Sequence, residues 1–233
     1  MKENIRQMAI SAGADVCGFA NIDRFKDAPK GYLPTDIYKD CKSVLALGIA
    51  IPRGLSFVNP QFIYGHFNEL SCPMVDQILF RVARMIEDKY GGYAIPIPSD
   101  APVGFWDEET KTAHGLLSMK HIGVLAGIGF MGKNTILCNE QFGNQLTIGA
   151  ILLTHDLPSD ELSQNHCLPK CHKCIDNCPV HAIREDGTVN QKRCRENTYK
   201  TTFRNIGTVE CNLCRMGCPL KFGVKTQKEY SNI

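Results

Sequence analysis

The chain has 233 residues, 43% of them hydrophobic, and a formal net charge of +2 from 26 basic and 24 acidic residues. That is enough apolar material for one medium domain with a small one appended, and the near balance of charge excludes a gross polyanion partner such as bulk DNA. No stretch approaches the ~18 apolar residues of a membrane span, and the opening Met1-Lys2-Glu3-Asn4-Ile5-Arg6-Gln7 shows neither an apolar signal region nor twin arginines, so a reducing cytoplasm is the expected location.

Residues 3–12 read as a helix ended by Gly13, and Val16 to Ala20 as a short strand. Ser43 to Ala50 is an unbroken apolar run closed by Pro52, the pattern of a buried strand. Leu70, Met74, Ile78, Val82, Met85 and Ile86 keep the spacing of an amphipathic helix and predict one from about 68 to 89, stopped by Gly91-Gly92. Tyr93 to Ile97 reads as a strand, followed by a Pro-punctuated loop that holds the single Trp106. A helical segment is expected around 110–126, then a glycine cluster, then a last strong strand from Leu146 to Leu153. Strands alternating with helices predict an α/β domain over 1–160, with a small irregular domain over 161–233.

The glycine cluster matches two patterns at once. Gly127, Gly129 and Gly132 spell G-x-G-x-x-G, while Gly127 to Lys133 spell G-x4-G-K. A Walker loop needs Ser or Thr directly after its Lys, where this chain has Asn134. The dinucleotide pattern finds an acidic partner in Asp156, expected at a strand end, but that motif normally belongs to the first strand of its domain. Two readings stay open here. Backbone amides and Lys133 approach an anionic or planar group, as in a flavin or nicotinamide reductase, or the glycines serve tight packing.

Eight of the twelve cysteines fall in the last third, in two runs that each end in Cys-Pro. The first is Cys167, Cys171, Cys174 and Cys178-Pro179; the second is Cys194 followed by Cys211, Cys214 and Cys218-Pro219. Thiolate is the soft donor that iron–sulfur clusters require, and eight thiolates serve two 4Fe-4S cubanes. Structural zinc usually shows two short C-x2-4-C knuckles, whereas here each terminal Cys lies three residues beyond a closer pair, as in bacterial ferredoxins. In those ferredoxins the fourth Cys of each run crosses to the other cluster. Carried over, this gives Cys167, Cys171, Cys174 and Cys218 to one cluster, and Cys178, Cys194, Cys211 and Cys214 to the other. Cys17, Cys41, Cys72 and Cys138 sit among apolar neighbours and read as small buried hydrophobes. Lys192, Arg193, Arg195, Lys200, Arg204, Arg215, Lys221, Lys225 and Lys228 face only Glu196 and Glu210. They read as a solvated face that offsets thiolate charge, or as a docking surface for an acidic redox partner or RNA.

The joint order of these features, from Ala126-Gly127 through Lys133-Asn134-Thr135, an apolar strand, C-x2-C-x3-C-P, Arg193-Cys194 and a second C-x2-C-x3-C-P, resembles the epoxyqueuosine reductase family. These are cobalamin-dependent iron–sulfur enzymes related to reductive dehalogenases, and the resemblance runs over nearly the whole chain. It implies an α/β (α+β) corrinoid-binding domain of nitroreductase-like fold over 1–160, followed by a small double-cluster ferredoxin-like domain over 161–233. Base-off cobalamin would lie near one cluster, with Gly127, Gly129, Gly132, Lys133 and Asn134 along the corrin. An external low-potential donor of flavodoxin or ferredoxin type would feed electrons through both clusters to cobalt. Family members carry an Asp-x-x-Pro segment before the glycine loop, whose Asp is read as the proton donor. In Pro98-Ser99-Asp100-Ala101-Pro102 the nearest counterpart is Asp100, one residue closer to its Pro. Members also continue into a helical-repeat domain that grips tRNA, while this chain ends at Ile233. Epoxyqueuosine in tRNA, bound weakly, or another small electrophile is therefore the expected substrate. The second reading is an electron-transfer protein that reduces a partner's corrinoid without substrate chemistry.

Overall fold

The computed structural model describes residues 1–101, 103–201, 207–209 and 211–224, with 200, 201 and 207–209 described by their backbone alone. Helix α1 (Lys2–Ser11) ends where Gly13, at φ 109°, lets the Ala14 N–H turn back to the carbonyl of Ala9. Strand β1 (Val16–Asn21) pairs with β2 (Ser43–Ala50), and the short helix α2 (Pro34–Ile37) lies in their connection. Helix α3 (Phe62–Tyr90) closes at Gly91, φ 67°. It begins at Phe62 rather than near Asn68. Its buried stripe is Ser71, Val75, Leu79, Val82, Ala83 and Ile86, whereas Leu70 and Met74, expected on that face, are 43% and 48% exposed. Apolar residues occupy both sides of this helix at similar spacing, so the sequence shows the period without its phase.

Strand β3 (Ala94–Ile97) lies at the sheet edge, where Pro96 removes no ladder bond that a central strand would need. The expected loop around Trp106 and helix from 110 fold instead as a hairpin of β4 (Val103–Asp107) and β5 (Thr112–Gly115). Its turn is fixed by Asp107, whose carboxylate accepts from the N–H and the hydroxyl of Thr110, each at 2.6 Å. The helix is confined to α4 (Met119–Leu125). Two-residue strands β6 (Phe130–Met131) and β7 (Leu137–Cys138) form a second hairpin, and β8 (Leu146–Leu153) completes the main sheet.

That sheet runs β1-β2-β8-β3, with every neighbouring pair antiparallel. The alternation of strands and helices therefore builds a mixed α/β fold without parallel βαβ units. Side chains alternate across it: Leu45, Leu47, Ile151 and Leu153 pack with α1 and α3, while Val44, Ala46, Ile148, Ala150 and Leu152 pack with α4 and Ile128. Each such Leu or Ile contributes about 1.5–3 kcal/mol by leaving water.

Beyond β8 the chain adds α5 (Lys173–Asp176), α6 (Gln191–Thr198), the hairpin β9 (Tyr199–Thr201) with β10 (Gly207–Val209), and α7 (Leu213–Met216). The two cysteine runs fold alike, as a single helical turn followed by Cys-Pro, and α5 packs on α7. Gly217 permits that approach, since a Cβ there would come within 1.9 Å of the Asn177 amide nitrogen. A small core of Cys178, Ala182 and Ile183 is completed by Cys174, Cys194 and Cys214. The Lys200 side chain, Arg204, Glu210, Lys225 and Lys228 of the basic stretch lie outside the described residues. Among the described residues no helix is long and apolar enough to cross a membrane.

Candidate functional site

The eight clustered cysteines form two groups that interleave the two runs. Cys167, Cys171 and Cys174 line one pocket with Cys218, which comes from the second run. The Cys174 thiol is pushed up first by burial and then by the charges of Cys218, Cys167 and Cys171. Cys178, the last of the first run, packs instead with Cys194 and Cys214. Burial pushes the Cys214 thiol up to about 11, against the pull of Arg215, and Cys194, Cys211 and Cys178 add to it. Thiols gathered in this way resist ionising, and a metal that binds thiolate offsets that cost.

Among the described residues no three His, Cys, Asp or Glu side chains converge closely enough to hold a single metal ion. A tetrahedral zinc with bonds of about 2.3 Å needs its sulfurs within ~4 Å of one another. Four thiolates that each bind a different iron of a cubane stand farther apart than this. The Ala182 N–H also donates to Cys178 Sγ at 3.2 Å, a bond of the kind that adjusts cluster potential.

The glycine loop lies against both cysteine runs. It is entered from α4 and leaves into the β6–β7 hairpin, whereas a dinucleotide fingerprint or Walker loop runs from strand into helix. Cβ atoms at Gly127 and Gly129 would come within 2.1 Å of the carbonyls of Glu161 and Cys138, and one at Gly132 within 2.8 Å of Asn134 Oδ1. Tight packing within the chain thus already requires the first two glycines. Asp156 lies past the end of β8 and accepts from Asn21 Nδ2 at 2.7 Å, so it completes no nucleotide motif. Lys133 Nζ donates to the carbonyls of Pro169 and Cys171 in the first run. Asn134, buried beside it, donates from Nδ2 to the Cys214 carbonyl of the second at 3.4 Å.

Asp100 lies elsewhere, on the loop after β3. Its neighbour Ser99 anchors that loop to α3, donating from its N–H to Asp76 Oδ1 at 2.9 Å and from its hydroxyl to the Cys72 carbonyl at 3.1 Å. Phe105, Trp106 and Tyr199 leave 48%, 45% and 59% of their surface exposed. The Arg195 guanidinium sits 5.2 Å from the Trp106 ring centre. Although its ring is largely open, enough protein surrounds the Tyr199 phenol to push it up; Arg195 opposes the shift, and Asp100, Glu69 and Cys194 add to it. Asp100 is thus near enough to Tyr199 to act on its phenol, as is Cys194 of the second cysteine group. The second group also touches the first turn of α3, where burial, then Arg215 in the opposite sense, then Cys214 and Cys211 set the Tyr64 phenol, which is raised.

Two residues of the basic stretch are engaged internally. Arg215 donates to the Asn144 carbonyl at 2.6 Å, and Asn144 returns a bond to the Arg215 carbonyl at 2.9 Å. Arg195 lies on Trp106. Lys192 and Arg193 stay exposed. Of the four remaining cysteines, Cys41 keeps the bland reading, buried with its thiol pushed up to about 11. Cys138 does not, because it lines the first cysteine pocket. No spacing rule could find it, since it arrives from a different hairpin.

No family model matches the chain. The epoxyqueuosine reductase of Lactococcus garvieae is 23% identical over 265 residues, covering 97% of this chain and 71% of that protein. The chain spans 65% to 71% of curated relatives that it matches along nearly its whole course. Among solved structures, an epoxyqueuosine reductase with a tRNA-Tyr stem loop superposes with a TM-score of 0.68 at 19% identity, over 94% of this chain and 65% of that one. A Bacillus subtilis epoxyqueuosine reductase, with its catalytic aspartate loop swung out of the active site, gives 0.68 at 20% identity over 95% and 65%. A reductive dehalogenase described for B12-dependent dehalogenation gives 0.67 at 15% identity over 97% of this chain and 33% of that one. By sequence over nearly its whole length and by fold, the chain is a homologue of the epoxyqueuosine reductases and shares its architecture with the reductive dehalogenases.

Proposed function

We propose that the chain is a cobalamin-dependent iron–sulfur reductase of the epoxyqueuosine reductase kind. One 4Fe-4S cluster would be held by Cys167, Cys171, Cys174 and Cys218, the other by Cys178, Cys194, Cys211 and Cys214. Base-off cobalamin would bind near Asp100 and Tyr199. The observation that supports this reading is that Cys218 of the second run lines one pocket with Cys167, Cys171 and Cys174, while Cys178 of the first run packs with Cys194 and Cys214. Residues 1–160 then act as a nitroreductase-like cofactor domain and 161–233 as a ferredoxin-like one.

When bound, the clusters supply low-potential one-electron transfer and the corrinoid a strongly reducing, nucleophilic metal centre. The chain's own residues supply position and protons. Lys133 and Asn134 clamp the two cysteine runs to the cofactor domain, so that the loop of Gly127, Gly129 and Gly132 would border the corrin from the cluster side. Trp106 and Tyr199, which both interact with Arg195, would shield a bound corrinoid from water. Asp100, on a loop pinned through Ser99, would be the proton donor to the substrate atom that gains electron density. For the substrate we propose a modified nucleoside in tRNA: a structural relative holds a tRNA stem loop, and Lys192 and Arg193 present exposed charge on α6. The electron donor would be a flavodoxin or ferredoxin of the cytoplasm.

Anaerobic reconstitution with iron, sulfide and cobalamin tests the cofactors, and turnover on an epoxyqueuosine stem loop tests the reaction. About eight iron and eight sulfide per chain are expected, with a corrinoid spectrum. Asp100→Asn should keep all three cofactors and lose about 10²–10⁴-fold in turnover. Stoichiometric zinc without sulfide would overturn the reading. Clusters and cobalamin with no turnover on any electrophile would leave electron transfer to a partner as the function.

A further inference from the structure

Helix α3 packs on the sheet through Val75, Leu79, Val82, Ala83 and Ile86, and turns another stripe outward. Asp76, Phe80 and Arg84 recur at every fourth residue, so they share that stripe. Phe80 is 62% exposed, the highest value of any large apolar side chain on the helix. It lines an open groove of about 710 Å³ with Asp76, Gln77, Arg81, Arg84 and Met85. Asp76 Oδ1 accepts from the Ser99 N–H, and among the described residues its Oδ2 accepts from no donor. Neither Arg81 nor Arg84 has an ion-pair partner among the described residues, although Asp88 follows Arg84 by one turn.

An exposed ring flanked by an acid one turn before it and a base one turn after it complements itself. In an antiparallel pair of such helices crossing at Phe80, a residue before the ring stands opposite the residue equally far after it in the other copy. Ring then meets ring at the centre, and Asp76 of each copy meets Arg84 of the other. That is an apolar centre with a charged rim.

We propose that this face of α3 is an interface with a second copy of the chain, formed about a twofold axis at Phe80 and closed by two Asp76–Arg84 pairs. A nucleic acid or an anionic membrane would meet Asp76 and Asp88 beside the arginines, and an unrelated protein has no need of acid and base equally spaced about the ring. The stripe from Pro73 to Glu87 runs about 20 Å along the helix axis. A contact of that length buries less than the ~1,200 Å² of a standard interface, so the dimer is weak and sensitive to salt. Pairing also steadies the loop that carries Asp100, since Asp76 anchors it through Ser99. The inference is independent of the cofactor reading.

The test is sedimentation equilibrium of the full chain over a range of concentrations, at low and high salt. The wild type should show a reversible monomer–dimer equilibrium that salt weakens. Asp76→Arg and Arg84→Asp each set like charges against each other at both crossings, and each alone should weaken association about tenfold. Mixed in equal amounts the two variants should regain the wild-type association, because each then offers the charge that the other lacks. Phe80→Ser should weaken association with no change in the far-ultraviolet spectrum, since its ring is exposed. A wild type that stays monomeric throughout would overturn the proposal and leave the groove to another partner. A dimer that all three variants leave unchanged would place the interface elsewhere and overturn it too. A mixture no tighter than its components would refute the reciprocal charge pairs.

Discussion

Far from either cysteine group, Asp160 ties the start of the chain to the segment that leads into the cysteines. Both its oxygens accept from Arg6 at 2.9 Å, Lys2 approaches to 2.7 Å, and the Phe19 N–H donates at 3.0 Å. Burial works against its ionisation, but the bonds from Lys2 and Arg6 hold the carboxyl below the usual carboxylate range. A depressed folded-state pKa contributes stability above the unfolded value of about 4, and that contribution is lost as pH falls through the folded value. Asp160→Asn should therefore cost about 1–3 kcal/mol at pH 7 and progressively less in acid. Denaturant titrations at pH 7 and pH 3 check this, and an equal loss at both would exclude the charge. At this scale the sequence was legible where chemistry is local. The spacing of Cys171, Cys174 and Cys178-Pro179 anticipates a helical turn ended by Cys-Pro, which the structure has. Cys138 and the Arg6–Asp160 pair were not legible, because their partners lie in other elements.

At the scale of elements, the glycine loop and its hairpin act as a clamp. Lys133→Met keeps the apolar stem and loses the bonds to Pro169 and Cys171. It should lower iron from about eight toward four per chain while the far-ultraviolet spectrum of the sheet and helices stays intact. Retention of full iron would reduce Lys133 to a surface residue. Gly129→Ala should be worse than a packing defect. Its Cβ would meet the Cys138 carbonyl at 2.1 Å, a backbone atom that cannot turn aside, and overpacking of this kind costs about 1–3 kcal/mol or more. A melting curve and an iron count together register both effects. The elements that sequence alone places well, α1, β2 and β8, carry their own stop signals and unbroken apolar runs. The β4–β5 hairpin escaped because its strand residues Phe105 and Trp106 face outward and its turn is made by Asp107 and Thr110 without a glycine. On α3, apolar residues on both sides hid which one meets the sheet.

For the whole molecule, the contrast between the two cores governs stability. The sheet is packed on both faces by aliphatic side chains, whereas the core around Ala182 is built largely from cysteines. If it holds the proposed clusters, a module of that size depends on them to stay folded. Chelation or oxidation should release it first, at a temperature where the sheet is intact, giving two calorimetric transitions in place of one. Trp106 reports the event directly, since it lies on the scaffold hairpin under Arg195 of α6, and its fluorescence should change in the first transition alone. A single transition unaffected by chelator would contradict this. The antiparallel sheet was not readable from the sequence, because β8 inserts between β2 and β3 from far along the chain. That insertion orders events during synthesis. Leu153 pairs with Ser43, so the sheet cannot close until β8 has left the ribosome, yet it can close before Cys167 emerges. The clustered thiols can thus emerge beside a sheet that has already closed.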